Sequence, residues 1–359
     1  MRLRNKLVLA VFMATLWGVF SMAEAVVNIQ NVGAGARSQA LGNSFVAVAD
    51  NPDAVFENPA GVGRLERRQV AYTNVSLFFS GIDDGNNLGQ HVVSYVQPLG
   101  AKLGLGLGFE RIGSDLMNEN GAFLSMGVNL SQKLSLGLNA KYLFWSVGDF
   151  DPADPLSGQS AGGVGVDVGV LWDSPLAGAK LGVLLKNVNE PGVSKGKGMR
   201  GVRRDTNGNG VLDPGDGLVA EEDVDAGKLP ADLHVGVSYQ VNPSSLLSVQ
   251  WVVQDVRAAS ALVEAGTEFD EALGVDKYVL EERSSRMSKL VLGGETRLRE
   301  GLMLRAGGSR VFEEEAQGAL NAGLGYRWNT NLLFDYSYHL PLDLVETNGA
   351  HRFSFGYEF

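Results

Sequence analysis

From residue 70 onward the chain alternates. In residues 134–145, Leu134, Leu136, Leu138, Ala140, Tyr142 and Phe144 take one face of an extended segment, and Ser135, Gly137, Asn139 and Lys141 take the other. That period of two belongs to strands and not to helices. The pattern recurs at Leu103, Leu105, Leu107 and Phe109 against Gly104, Gly106, Gly108 and Glu110, and at Leu233, Val235, Val237 and Tyr239 against Asp232, His234, Gly236 and Ser238. Leu320, Ala322, Leu324, Tyr326 and Trp328 repeat it near the end of the chain. Fourteen such segments are expected, at 70–79, 89–98, 101–113, 121–131, 134–147, 161–173, 178–189, 230–241, 245–256, 287–299, 302–312, 316–328, 331–339 and 350–359. Most are near ten residues, longer than an ordinary strand and about what a tilted strand needs to cross a bilayer.

The connections alternate in length. Tight turns at Gly100, Gln132, Ser174 to Ala177, Asn242 to Ser244, Glu300 to Gly301 and Asn329 to Thr330 alternate with longer loops, the longest between Asn189 and Pro230. An even number of antiparallel strands, with short turns on one rim and long loops on the other, is the arrangement of a bacterial outer-membrane β-barrel. The chain closes on Phe353, Phe355, Tyr357 and the terminal Phe359 on one face. In a barrel the apolar face meets lipid and the polar face lines the lumen, where glycine relieves crowding. This gives a reason for 47 glycines in 359 residues, well above the roughly 7% usual in globular proteins. A soluble β-sandwich would explain neither the loop parity nor the charges opposite an apolar band.

Residues 1–25 read as an export signal: Arg2, Arg4 and Lys6, then an uncharged apolar stretch from Leu7 to Phe20, then Ala23-Glu24-Ala25 as a small-x-small cleavage site. The expected address is the cell outer membrane of a Gram-negative-type bacterium, with outer-membrane lipid as the surroundings. A net charge of −11 argues against nucleic acid as a partner. The absence of cysteine removes thiol nucleophiles and thiolate metal sites. No HExxH, GxSxG or Walker A sequence occurs and the four histidines are scattered, so no enzyme is expected. Lys141, Lys180, Lys186, Arg305, Arg327 and Arg352 face inward with Glu110, Asp167, Asp232, Asp335 and Glu358, and read as a lumen of mixed sign that pairs its own charges.

Residues 26–68 break the alternation. They hold Gly35-Ala36-Arg37-Ser38-Gln39-Ala40-Leu41-Gly42, then Phe45-Val46-Ala47-Val48-Ala49-Asp50, then Asn51-Pro52-Asp53-Ala54-Val55-Phe56-Glu57-Asn58-Pro59-Ala60-Gly61. This stretch resembles the N-terminal signature of the PorV/PorQ group, a branch of the FadL-type outer-membrane barrels. The resemblance implies a fourteen-stranded barrel, residues 69–359, into which residues 26–68 fold as a hatch. The local chemistry agrees, because Pro52 and Pro59 interrupt regular structure while Asn51 and Asn58 before proline favour turns. Phe45 and Phe56 need burial, and with Asn58 and Pro59 they are the expected hatch residues. FadL-type relatives pass hydrophobic small molecules through the lumen and out of a wall opening, whereas PorV-like members act as partners of a protein-secretion (type IX-like) system. Transport of a hydrophobic small molecule and a non-catalytic scaffold or shuttle role with secretion-system proteins therefore both stand. The two large loops, 190–229 and 257–286, are acidic and sit on the exterior by the parity of the turns.

The sharpest local motif lies in the first of these loops. Counted from Asp205, side-chain oxygens fall at positions 1, 3, 5, 9 and 12 (Asp205, Asn207, Asn209, Asp213, Asp216), Gly210 stands at 6, and Val211 at 7 offers a carbonyl. That is the oxygen spacing of a calcium loop. Asp216 in place of a bidentate glutamate and the lack of flanking helices make it a weak, extracellular-type site; a solvated Asn/Gly turn is the alternative.

Overall fold

The computed structural model describes residues 33–76, 89–113, 117–148, 158, 160–193, 201–203, 218–220, 228–256, 260–270, 275–284, 286–298, 301–312, 318–329, 331–342 and 349–359. The expected export signal and the calcium motif at 205–216 lie outside the described residues.

Fourteen strands form one closed antiparallel barrel. The first seven are β1 (Gln69–Ser76), β2 (Gly89–Pro98), β3 (Leu103–Gly113), β4 (Met117–Asn129), β5 (Leu134–Val147), β6 (Ser160–Asp173) and β7 (Ala179–Lys186). A short hairpin follows, β8 (Gly201–Arg203) with β9 (Leu218–Ala220), and the wall resumes with β10 (Asp232–Asn242) and β11 (Ser245–Gln254). A second hairpin, β12 (Ser260–Asp270) with β13 (Val275–Ser284), separates these from β14 (Met287–Arg297), β15 (Leu302–Val311), β16 (Gly318–Trp328), β17 (Leu332–Pro341) and β18 (Ala350–Glu358). β1 closes the wall against β18, with Gln69 opposite Glu358 and Ser76 opposite His351.

The alternation sets the faces as expected. Leu136, Leu138 and Tyr142 stand exposed on the outside of β5, while Ser135, Asn139 and Lys141 are buried inside. Tight turns are built where the backbone must go left-handed, as at Gly100 (φ 78°) and Asn329 (φ 55°). Each of the fourteen expected segments corresponds to one barrel strand, with end shifts of a few residues. The two hairpins within the long loops were not expected.

The departure that shapes the wall is β7. The expected segment at 178–189 stops instead at Lys186, because Asn187 turns left-handed (φ 52°) and gives its N–H to the Asp167 carboxylate of β6 at 2.9 Å. The same device ends β11, where Asp255 (φ 52°) donates its N–H to Asp232 of β10 at 2.9 Å. An inward aspartate on one strand thus sets how far its neighbour's wall rises.

Candidate functional site

Residues 33–65 fill the lumen. Two helical turns, Ala36–Ala40 and Ala54–Glu57, and a 3-10 helix, Pro59–Arg64, carry the chain across the barrel. Phe45 is fully buried and Phe56 nearly so. Phe56 meets Phe123 of β4 edge-on, with centroids 4.9 Å apart. Asn58 caps the 3-10 helix by accepting the Ala60 N–H at 3.1 Å, and its amide nitrogen donates to the Val46 carbonyl at 2.8 Å and the Val170 carbonyl of β6 at 3.1 Å. Pro59 at the first helical position needs no N–H partner. The four expected hatch residues are therefore all placed inside the barrel, at the plug's core and at its contact with β6.

The plug touches the wall backbone to backbone. A Cβ built on Gly104, Gly137, Gly182 or Gly307 would collide with main-chain atoms of Val62, Pro59, Val46 and Gly42 respectively. Those glycines lie on β3, β5, β7 and β15, so the close fit runs around the barrel. Polar bonds run the same circuit. Gln250 Oε1 accepts both the Phe45 and Val46 N–H groups at 3.0 Å, Ser238 donates to the Ala47 carbonyl at 2.9 Å, and Asn139 donates to the Val55 carbonyl at 2.8 Å. Gln39 donates to Asn321 at 3.0 Å, and Arg352 donates to the Gly33 carbonyl at 2.8 Å.

Ion pairs anchor both ends of the plug. Arg37 binds Glu295 of β14 through Nε (2.8 Å) and Nη2 (3.0 Å), and pairs with Asp50. Burial alone would lower the Arg37 pKa, but Asp50 and Glu295 hold it well above its usual value. Arg64 binds both oxygens of Asp173 at 2.9 Å and the carbonyls of Lys133 and Leu171. Asp53 is buried in the plug, and burial pushes its carboxyl up to about 6 against hydrogen bonds from Asn51 and Ser94. Burial also raises Glu57. Below the plug, at the tight-turn rim, a recess of about 600 Å³ opens among Val48, Leu65, Leu171, Lys180 and Arg327. The plug is its inner wall.

Above the plug the wall is interrupted. β6 runs fourteen residues and β7 eight, and β7 pairs only with Val168–Asp173 of β6. Higher on that edge of β6, side chain substitutes for strand: Asn189 accepts the Val166 N–H at 2.9 Å and donates to the Val164 carbonyl at 2.8 Å, and the Val188 N–H reaches the Val166 carbonyl at 2.8 Å. No further strand covers the edge among the described residues. The chain that would have built the wall folds inward instead. Pro191 lies within the lumen beside Gly163 and Gly165, Leu229 donates its N–H to the Pro191 carbonyl at 3.0 Å, and Gly192 bridges to Lys228.

This inward flap presses Val193 and Leu229 into an apolar cluster with Phe56, Phe123, Leu143 and Leu171. Trp145 Nε1 fastens it, donating to the Val193 carbonyl at 2.7 Å. A buried pair stands at its base, Lys141 Nζ to Asp167 Oδ1 at 2.5 Å, and Asn187 Nδ2 ties its two ends by donating to the Pro230 carbonyl at 3.0 Å. Sequence reasoning placed Lys141 and Asp167 in the lumen but missed the flap, whose residues lie in a long loop without alternation.

The lumen thus holds a packed apolar cluster bounded below by a bonded plug and above by a flap carrying two apolar side chains, beside a β6 edge held by Val188 and Asn189. No family model matches the chain, and no curated protein matches it in sequence. Solved structures do share its fold. The CymD monoaromatic hydrocarbon channel aligns at 15% identity with a TM-score of 0.60, over 93% of this chain and 99% of that one. The Ralstonia pickettii toluene transporter TbuX aligns at 15% identity and 0.59, over 93% and 100%. The P. putida toluene transporter TodX aligns at 14% and 0.59, over 91% and 99%. The fold is that of the FadL-type barrels.

Proposed function

We propose that this chain is an outer-membrane barrel that passes a hydrophobic small molecule from the long-loop side into the apolar cluster above the plug, which opens into a chamber as the flap lifts, and out sideways through the wall beside β6. The observation that carries the reading is the mismatch between β6 and β7, which leaves the β6 edge at Val164 and Val166 held by the Asn189 side chain and the single Val188 N–H rather than by a strand. Straight passage along the axis is disfavoured, because it would break the whole ring of bonds to the plug at about 1 kcal/mol net for each neutral bond. Lifting the flap costs less. Val193 and Leu229 give up about 1.5–3 kcal/mol each on leaving the cluster, and an apolar guest on Phe56 and Phe123 restores that burial. The hydrocarbon and toluene channels of the same fold support this class of cargo.

The test is the position of bromobenzene in crystals of the barrel, read from bromine scattering. Bromine between Phe56, Phe123 and Leu143 supports the reading. Bromine only on the outer, lipid-facing wall, or none, removes it.

Membership of the PorV/PorQ group and a scaffold role in protein secretion form the second reading, which the stretch from Gly35 to Gly61 and the fixed plug favour. A barrel isolated in mild detergent with a secretion protein bound and its chamber empty would favour it over transport. Calcium binding by Asp205, Asn207, Asn209, Val211, Asp213 and Asp216 is proposed on the oxygen spacing. In sequence the motif lies between β8 and β9.

A further inference from the structure

The lipid-facing belt is uneven. On β10 five successive outward residues, Leu233, Val235, Val237, Tyr239 and Val241, are apolar, and β6 offers Val164, Val166, Val168, Val170 and Trp172. On β1 only Val70 and Tyr72 are, and the next outward positions toward the long-loop rim are Asn74 and Ser76. The polar row continues sideways: the registers set Asn74 opposite His91 of β2, and His91 opposite Arg111 of β3. Facing residues in such a ladder lie roughly 5 Å apart at Cβ, so the three form one surface.

The groups in that row are oriented as donors. His91 Nδ1 lies 2.9 Å from the Tyr72 hydroxyl and 3.3 Å from the Asn74 amide nitrogen, with the Tyr72 ring stacked beside it. Nδ1 is engaged by these contacts, and Nε2 has no hydrogen-bond partner among the described residues. Arg111 gives Nε (3.1 Å) and Nη2 (2.7 Å) to Asn118 Oδ1, which fixes the plane of its guanidinium against the wall. His91 and Arg111 are both exposed, and no carboxylate faces outward on β1, β2, β3, β4 or β18 above Tyr72 among the described residues. A cation and fixed N–H donors just above an aromatic layer, on a membrane wall, match one neighbour: an anionic group at headgroup depth.

We propose that Asn74, His91 and Arg111, with Asn118 as positioning residue, bind the phosphate of a phosphorylated glycolipid headgroup in the outer leaflet. The proposal rests on the outer-membrane reading but not on the transport reading. Where the belt is thin, the acyl chains would lie against Tyr72 and Val93 and the phosphate against the polar row.

The test reconstitutes the full-length barrel in phosphatidylcholine nanodiscs containing bisphosphorylated lipid A and counts retained lipid A by native mass spectrometry. Wild-type barrel is expected to retain it, and Arg111→Gln with His91→Gln to weaken retention by about tenfold, as loss of one near-surface cationic contact and a donor implies. Dephosphorylated lipid A should bind the wild type no better than the double variant binds the intact lipid. Arg310→Gln, an outward arginine on the far wall at β15, should leave retention unchanged. Equal retention by the double variant, equal binding of the dephosphorylated lipid, or barrels paired through this face would each overturn the proposal. Insertion into the nanodisc, with the altered gel mobility of a folded barrel, is scored separately. Failure to insert would count against the membrane reading itself.

Discussion

Asp167 accepts the Asn187 N–H at 2.9 Å and receives the Lys141 ammonium at 2.5 Å, so one buried carboxylate both ends β7 and neutralises the only charge of Lys141's own side chain. The wall stops where that carboxylate sits. Asp167→Ala leaves Lys141 buried without this partner, and breaking a buried pair on one side costs about 3–5 kcal/mol. The expected outcome is a lower temperature for loss of the folded band in semi-native electrophoresis. Hydrogen exchange should also rise in 187–193 before it rises in β5. Asp167→Asn, which can still accept the Asn187 N–H, should keep the turn and lose only the charge pairing.

The flap is held by one indole bond and two apolar side chains. Trp145→Phe removes the donor to the Val193 carbonyl and should speed entry of an apolar probe into the chamber with a loss of about 1–3 kcal/mol of flap stability. Val193→Asp should do the opposite to chamber binding, because a guest would then share the pocket with a carboxylate. Stopped-flow binding of a fluorescent apolar probe to wild type and to each variant separates the two.

Gly137 faces the backbone of Pro59 and Ala60, where no side chain fits. Gly137→Leu should displace the plug and raise proteolysis of residues 33–65. Gly294→Ala is the control: its Cβ would meet the Leu247 side-chain tip at 3.3 Å and the Leu246 carbonyl at an ordinary 3.9 Å, and no plug atom. Equal proteolysis in both would mean that the glycine fit does not hold the plug.

How much of this was legible can be judged strand by strand. The faces of β5 were legible because lipid on one side and lumen on the other select opposite residue types at every step. The burial demands of Phe45 and Phe56 were legible too, since each is a large apolar residue in a segment without a strand period. The end of β7 was written at Asn187, the first polar residue at an outward position after Leu181, Val183 and Leu185, but a single polar position does not announce a turn inward. Val193 and Leu229 gave no signal, because they are buried in a cluster with Phe56, Phe123 and Leu143, more than thirty residues away in sequence. Excess glycine was visible as composition, whereas which glycine meets which plug atom depends on the closed barrel.

Asp53 gives the plug a pH dependence. Its carboxyl is raised by burial from 3.8 to about 6, so the native state holds a proton that the unfolded chain releases between those values. The stabilisation is complete below pH 3.8 and is lost as pH rises through 6, amounting to about 3 kcal/mol at about 1.4 kcal/mol per pKa unit. Hydrogen exchange in residues 51–57 should therefore be slower at pH 5 than at pH 7.5 after correction for intrinsic rates. Asp53→Asn should flatten that difference, and an unchanged difference would assign it to another group, with Glu57 first among them.

Asp205→Ala with Asp213→Ala should abolish calcium heats on the reconstituted barrel in the millimolar range. Identical titrations of wild type and variant would leave only the solvated-turn reading of the motif.

Sideways passage past β6 is tested most directly by locking the flap. The chain has no cysteine, so Gly165→Cys with Pro191→Cys introduces the only two thiols; a Cβ on Gly165 lies 3.3 Å from Pro191 Cγ and displaces the flexible Lys141 stem, 2.7 Å away. Uptake of labelled toluene into lipid vesicles carrying this variant is measured oxidised, and again after reduction. The expected result is uptake near background with the disulfide closed, and recovery to the level of the reduced double variant's own folded fraction when it is opened. Undiminished uptake with the flap covalently held to β6 would contradict the route.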